Sequence, residues 1–145
     1  MKKLIINGKI VTPEKIIDGD ILIEDGKIKE IGKLNNPVDE IIDAKGKYIL
    51  PGLVEVHGHL REPGFEQKED VPHGTRAGIA GGFTAVIDMP NTKPPTTTVA
   101  FLQDKIKKIY PDRSYIDYAF FMGVASDKLD ELKKVNPKDI VGVKV

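Results

Sequence analysis

P-G-L-V-E-V-H-G-H-L-R-E-P-G, residues Pro51 to Gly64, is the stretch whose reading decides the fold. Leu53, Val54 and Val56 bring an apolar strand to two histidines, His57 and His59, with one residue between them. Side chains of a strand alternate between faces, so both imidazoles are expected on one side, one pleat apart. Two neutral imidazoles facing one way at a strand end can hold one divalent cation. If the extended backbone continues, Arg61 falls on the same parity and places a fixed cation beside the metal. Pro51-Gly52 before the strand and Glu62-Pro63-Gly64 after it mark turns.

Composition limits the chemistry that can surround this stretch. The chain has 145 residues, 40% hydrophobic and 30% charged, enough for a globular protein with a real core. Lys plus Arg and Asp plus Glu are both 22, so no charge excess points to nucleic acid or to an anionic membrane. No apolar run approaches the roughly 20 residues of a membrane span. The opening M-K-K-L-I-I-N-G is broken too early for a signal peptide, which makes a cytoplasmic location the expectation. With no cysteine, a metal must be held by histidine, carboxylate or water. Frequent Lys, Glu and Ile without Cys or Trp hint at a thermophilic source.

Before Pro51 the pattern is short strands and tight turns. Asn7-Gly8 and Asp25-Gly26 each sit between apolar runs and predict two-residue hairpins. Ile41–Asp43 and Lys47–Leu50, around Ala44-Lys45-Gly46, suggest one more strand pair. Residues 1–50 are read as a structural β domain without chemistry of its own.

After Pro51 the period changes. Strands are predicted at Leu53–His57, Phe83–Ile87, Tyr115–Phe121 and Ile140–Val145. Helices are predicted from Val71 to Gly81, from a Thr96–Thr98 cap to Ile109, and from a Ser126 cap to Val135. This alternation is the rhythm of a parallel α/β sheet, and four βα units are half of a (β/α)8 barrel, so 51–145 is read as the first half of one. Active sites of such barrels lie at the C-terminal ends of the strands, where His57, His59, Asn91 and Lys144 all fall.

The Pro51–Gly64 stretch resembles the metal-binding signature of the amidohydrolase superfamily in the form carried by class I dihydroorotases, with Glu55 where that family usually has aspartate. G-T-R-A-G-I-A-G-G-F-T-A-V-I-D-M-P-N-T-K-P, Gly74 to Pro94, is similar to the next block of the same family. Gly142-Val143-Lys144-Val145 resembles the segment whose lysine reacts with CO2 to give a metal-bridging carbamate. The resemblance covers the whole chain but only about the first third of such an enzyme, and implies that residues 1–50 are part of a β-sandwich. It implies His57, His59 and carbamylated Lys144 as ligands of one or two Zn2+ ions, and Arg61 and Asn91 as grips on the substrate carboxylate. The implied reaction is hydrolysis of a cyclic amide, a metal-bound hydroxide attacking the ring amide. Run in reverse it closes N-carbamoyl-aspartate to dihydroorotate in pyrimidine synthesis. The general-base aspartate is expected beyond residue 145, so no catalytic acid or base is assigned here and the chain alone is expected to be inactive. His73 is read as structural and Asp88 as a supporting or packing residue. Partners are a small-molecule substrate, with a homo-oligomer or a pyrimidine-pathway protein admitted, and no nucleic acid or membrane. Competing readings are an allantoinase or dihydropyrimidinase, a non-catalytic structural subunit, or an inactive half-barrel.

Overall fold

A ten-residue strand, β1 (Lys2–Val11), is the spine of the N-terminal part of the chain. The computed structural model describes residues 1–145 and divides into two units, Met1–Pro51 and Gly52–Val145. In the first, β1 pairs antiparallel with β2 (Ile16–Glu24), which pairs antiparallel with β3 (Lys27–Gly32). Leu4, Ile10, Ile21 and Leu22 are its buried hydrophobic residues. Ile16, Ile28, Ile41 and Tyr48 stay exposed, as expected for one layer of a sandwich.

The hairpin expected at Asp25-Gly26 is present, with both residues in the left-handed region at φ 50° and 77°. The one expected at Asn7-Gly8 is not. β1 continues past it without reversing, and its register against β2 steps from Ile5↔Ile21 to Gly8↔Gly19, a bulge. Asn7 takes φ 56° and is held by Asp20 Oδ1, which accepts its amide at 3.0 Å, and by Asp43 Oδ1, which accepts its Nδ2 at 3.0 Å. A left-handed Asn-Gly can bend a long strand as well as reverse one, and here these partners select the bend. The expected pairing around Ala44-Lys45-Gly46 is also corrected. β4 (Glu40–Asp43) and β5 (Tyr48–Ile49) each run parallel to β1 rather than against one another.

The second unit is a parallel sheet of β6 (Leu53–Gly58), β7 (Phe83–Asp88), β8 (Asp117–Gly123) and β9 (Gly142–Lys144), adjacent in chain order. Helices α1 (Val71–Ala80), α2 (Val99–Asp104) and α3 (Leu129–Lys134) make the crossings. This is half of a (β/α)8 arrangement. α1 begins where predicted: Asp70 Oδ1 accepts the His73 amide at 2.8 Å and Pro72 occupies the first turn. α2 is capped by Thr98, but the regular helix stops at Asp104 and widens to a π-helix over Lys105–Ile109. Ser126 makes no cap; it opens a 3-10 turn, and α3 starts only at Leu129. Leu60, Val71, Val86, Leu102, Tyr110 and Phe120 form the core between sheet and helices. No helix is long and apolar enough to cross a membrane.

Candidate metal centre

His57 and His59 leave the C-terminal end of β6 with ring centroids 5.2 Å apart and planes tilted by 57°. Simple alternation does not account for this. β6 ends at Gly58, and its register against β7 is irregular between Glu55↔Val86 and Gly58↔Asp88. The residue between the histidines has to be small, because a Cβ on Gly58 would meet Val86 Cγ2 at 2.5 Å. Both imidazoles are solvent-exposed. The Glu55 carboxylate accepts the His57 amide at 2.8 Å, and so holds the backbone of that residue rather than standing as a third donor.

His59 Nδ1 lies 2.7 Å from Asn91 Oδ1. With the Asn91 oxygen as acceptor, Nδ1 is the donor, and in the neutral ring Nε2 then keeps its lone pair for a metal. A ring fixed this way by a neighbouring acceptor is the common arrangement of a metal-binding histidine. Two exposed imidazoles, one of them hydrogen-bonded to a neighbouring amide, fit two positions of a tetrahedral zinc. No third His, Asp or Glu gathers with them. Lys144 ends β9, at the sheet edge opposite β6, and is exposed. A lysine carbamate there would be an added anionic donor. The structure therefore brings together His57, His59 and Asn91, and leaves Lys144 on the far edge strand.

Arg61 corrects one expectation. Its φ is 60°, so the extended backbone ends before it and strand parity does not set its direction. It opens a tight turn in which its carbonyl accepts the Phe65 amide at 3.2 Å. The turn is braced from below. Glu62 is buried, accepts the Val71 amide at 3.0 Å, and pairs with the Arg113 guanidinium. Glu62 holds the Arg113 pKa above its ordinary value by hydrogen bonding. The Lys93 amide donates to the Pro63 carbonyl at 2.8 Å and ties this turn to the loop that carries Asn91.

Asp88, at the end of β7, has no exposure and pairs with the equally buried Lys105, while its Oδ1 accepts the Leu60 amide at 3.0 Å. Burial, and then the Asp88 charge, push the Tyr110 phenol well up, so it stays protonated beside them. The sequence reading missed Lys105, Glu62 and Arg113. A trace of the first was visible: Lys105 falls three residues after Leu102, inside the apolar stripe of Leu102, Ile106 and Ile109. His73 is exposed, with Nδ1 2.8 Å from the capping Asp70, and plays a local part.

A family model described as dihydro-orotase-like matches residues 46–134. The chain is 40% identical to a dihydroorotase of Trichlorobacter lovleyi over 99% of its own length and 35% of that protein's. It is 47% identical to one from Aquifex aeolicus, over 75% of this chain and 28% of the relative. Among solved structures it resembles an L-hydantoinase (dihydropyrimidinase) from Arthrobacter aurescens, with TM-score 0.85, 31% identity, 97% of this chain and 32% of that one. A dihydropyrimidinase from Brevibacillus agri gives TM-score 0.81 at 35% identity over 100% of this chain and 33% of that one. The chain thus spans 28–35% of the length of these curated relatives. With most of the sequence under one family model and the half-barrel shared with these enzymes, the chain belongs to the dihydro-orotase-like family.

Proposed function

We propose that this chain carries part of the active site of a zinc-dependent cyclic amidohydrolase, and that the substrate is dihydroorotate or, in the reverse direction, N-carbamoyl-aspartate. The observation that supports it most is the pair of exposed imidazoles 5.2 Å apart, with Asn91 fixing the second. His57 and His59 would hold the metal, joined by Lys144 as a carbamate. A zinc ion bound there supplies a Lewis acid for the ring carbonyl and a water made acidic near neutral pH. The chain's own residues do the rest. Asn91 spends its oxygen on His59 and keeps two amide protons to donate to a substrate carboxylate. Arg61 can grip the same carboxylate with two parallel hydrogen bonds. The Pro63–Lys93 bond ties the two loops together and the Glu62–Arg113 pair anchors the first of them, which is the positioning that catalysis needs.

A hydantoinase or dihydropyrimidinase activity is the second reading, favoured by the solved structures this half-barrel resembles. Their named substrates differ from dihydroorotate in the carboxylate, so Arg61 discriminates. The test is turnover of dihydroorotate, hydantoin and dihydrouracil by a zinc-loaded enzyme that joins this segment to the remaining two thirds found in its relatives, wild type and Arg61→Met. A charged hydrogen bond contributes about 1.5–3 kcal/mol, so Arg61→Met should raise KM for dihydroorotate about 10–100-fold. Turnover of hydantoin alone, or an unchanged KM, overturns the dihydroorotate reading.

A further inference from the structure

The buried Asp88–Lys105 pair has no place among the residues that would hold metal or substrate. Charges are costly to remove from water, and apolar replacements of such pairs are often neutral or stabilising. Stability alone therefore does not explain why it is there. Its geometry does offer a reason. Asp88 divides its carboxylate: one oxygen takes the Lys105 ammonium and the other accepts the Leu60 amide at 3.0 Å. Leu60 stands between His59 and Arg61, where β6 has ended and the chain is about to enter its left-handed turn. The Met89 amide, next to Asp88, donates to the Gly58 carbonyl at 2.8 Å, so both sides of His59 are tied to the end of β7.

Lys105 is itself held in place. Its ammonium lies 5.2 Å from the Phe120 ring centre and 5.8 Å from that of Tyr110. It is the first residue of the π-helical turn, an irregularity that often marks functional positions in helices. Glu62, at the other end of the same short segment, repeats the arrangement. One of its oxygens meets the Arg113 guanidinium, and the other accepts the Val71 amide. Residues 60–62 are thus bracketed by two carboxylates, each locked by a cation on one side and holding a backbone N–H with the other.

We propose that Asp88 and Lys105 are positioning residues for the metal-binding histidines: the ion pair fixes the Asp88 carboxylate, and that carboxylate, through the Leu60 amide, sets where His59 and Arg61 leave the strand. The proposal rests on the reading of His57 and His59 as zinc ligands. Loss of partners behind metal ligands typically lowers affinity about 10–100-fold.

The test compares two double variants of the full chain, with zinc alone as the probe. Asp88→Asn with Lys105→Met removes both charges but keeps an acceptor for the Leu60 amide. Asp88→Leu with Lys105→Met removes the acceptor as well. Thermal midpoint, hydrogen exchange at Leu60 and zinc affinity by chelator competition are read on each. The Asn variant should keep Leu60 protected and zinc affinity within about threefold of the parent. The Leu variant should melt at a similar temperature, yet exchange Leu60 at least about tenfold faster and bind zinc about 10–100-fold more weakly. Should it fail to fold, Asp88→Ala with Lys105→Met makes the same comparison. Parental Leu60 exchange and parental zinc affinity in the acceptor-free variant overturn the proposal. If the parent itself takes up no zinc at His57 and His59, the metal reading fails separately, and Leu60 exchange alone decides the positioning role.

Discussion

Gly64→Ala is the substitution that most sharply tests how the Arg61 turn is held against the Asn91 loop. Gly64 has φ 91°, and an added methyl would meet the Lys93 carbonyl oxygen at 2.1 Å, Lys93 Cβ at 2.6 Å and the carbonyl carbon at 2.9 Å. Two of those atoms are backbone and cannot swing aside. The left-handed conformation costs an alanine about 1–2 kcal/mol, and forcing a methyl into a filled space costs about 1–3 kcal/mol more. The sum is about 2–5 kcal/mol, a large share of the about 5–15 kcal/mol that holds a typical domain. Gly82→Ala is the matched control in the same unit. Its φ is 84° and nothing lies within 4 Å of the added methyl, so only the backbone part, about 1–2 kcal/mol, is expected. Urea unfolding of both variants separates the two contributions. Zinc affinity should fall only for Gly64→Ala, since Lys93 carries Asn91 with it when it is pushed away. Equal losses for the two substitutions, within about 0.5 kcal/mol, would refute the contact between the loops.

Three further outcomes follow from particular side chains. Leu102→Ala, at a fully buried core position, should lower stability by about 2–5 kcal/mol in denaturant unfolding. Asn91→Ala should weaken zinc binding about 10–100-fold at an unchanged melting temperature, because it frees the His59 tautomer without touching the core. Asp70 is held below its ordinary value of 3.8 by the His73 amide first and the His73 side chain second. A lowered folded-state pKa means its contribution is complete above 3.8 and lost as pH falls through the folded value. The gap in stability between wild type and Asp70→Ala should therefore be widest near neutral pH and narrow below 3.8.

The sequence carried the alternation of elements plainly, because β-branched runs such as Phe83–Ile87 and a capping residue such as Thr98 act locally. It was less informative where a local motif has two uses. Asn7-Gly8 makes a bulge rather than a turn, and the residues that hold Asn7 there, Asp20 and Asp43, are distant in the chain. Ile41–Asp43 pairs in parallel with Leu4–Ile6 of β1, a partner remote in sequence, instead of with its neighbour. At the site, the pairing of His57 with His59 was legible, but the route to it was not. Strand alternation predicted Arg61 alongside them, whereas the backbone turns left-handed at that residue. The pairs Asp88 with Lys105 and Glu62 with Arg113 join residues 17 and 51 apart, and no short pattern announces them.

The central claim, that His57 and His59 share one metal ion, is tested most directly by zinc titration of the chain alongside His57→Ala and His73→Ala. His57→Ala should lose about a hundredfold or more in zinc affinity, and His73→Ala, whose imidazole only meets the Asp70 cap, should keep parental affinity. Parental zinc affinity in His57→Ala would contradict that claim.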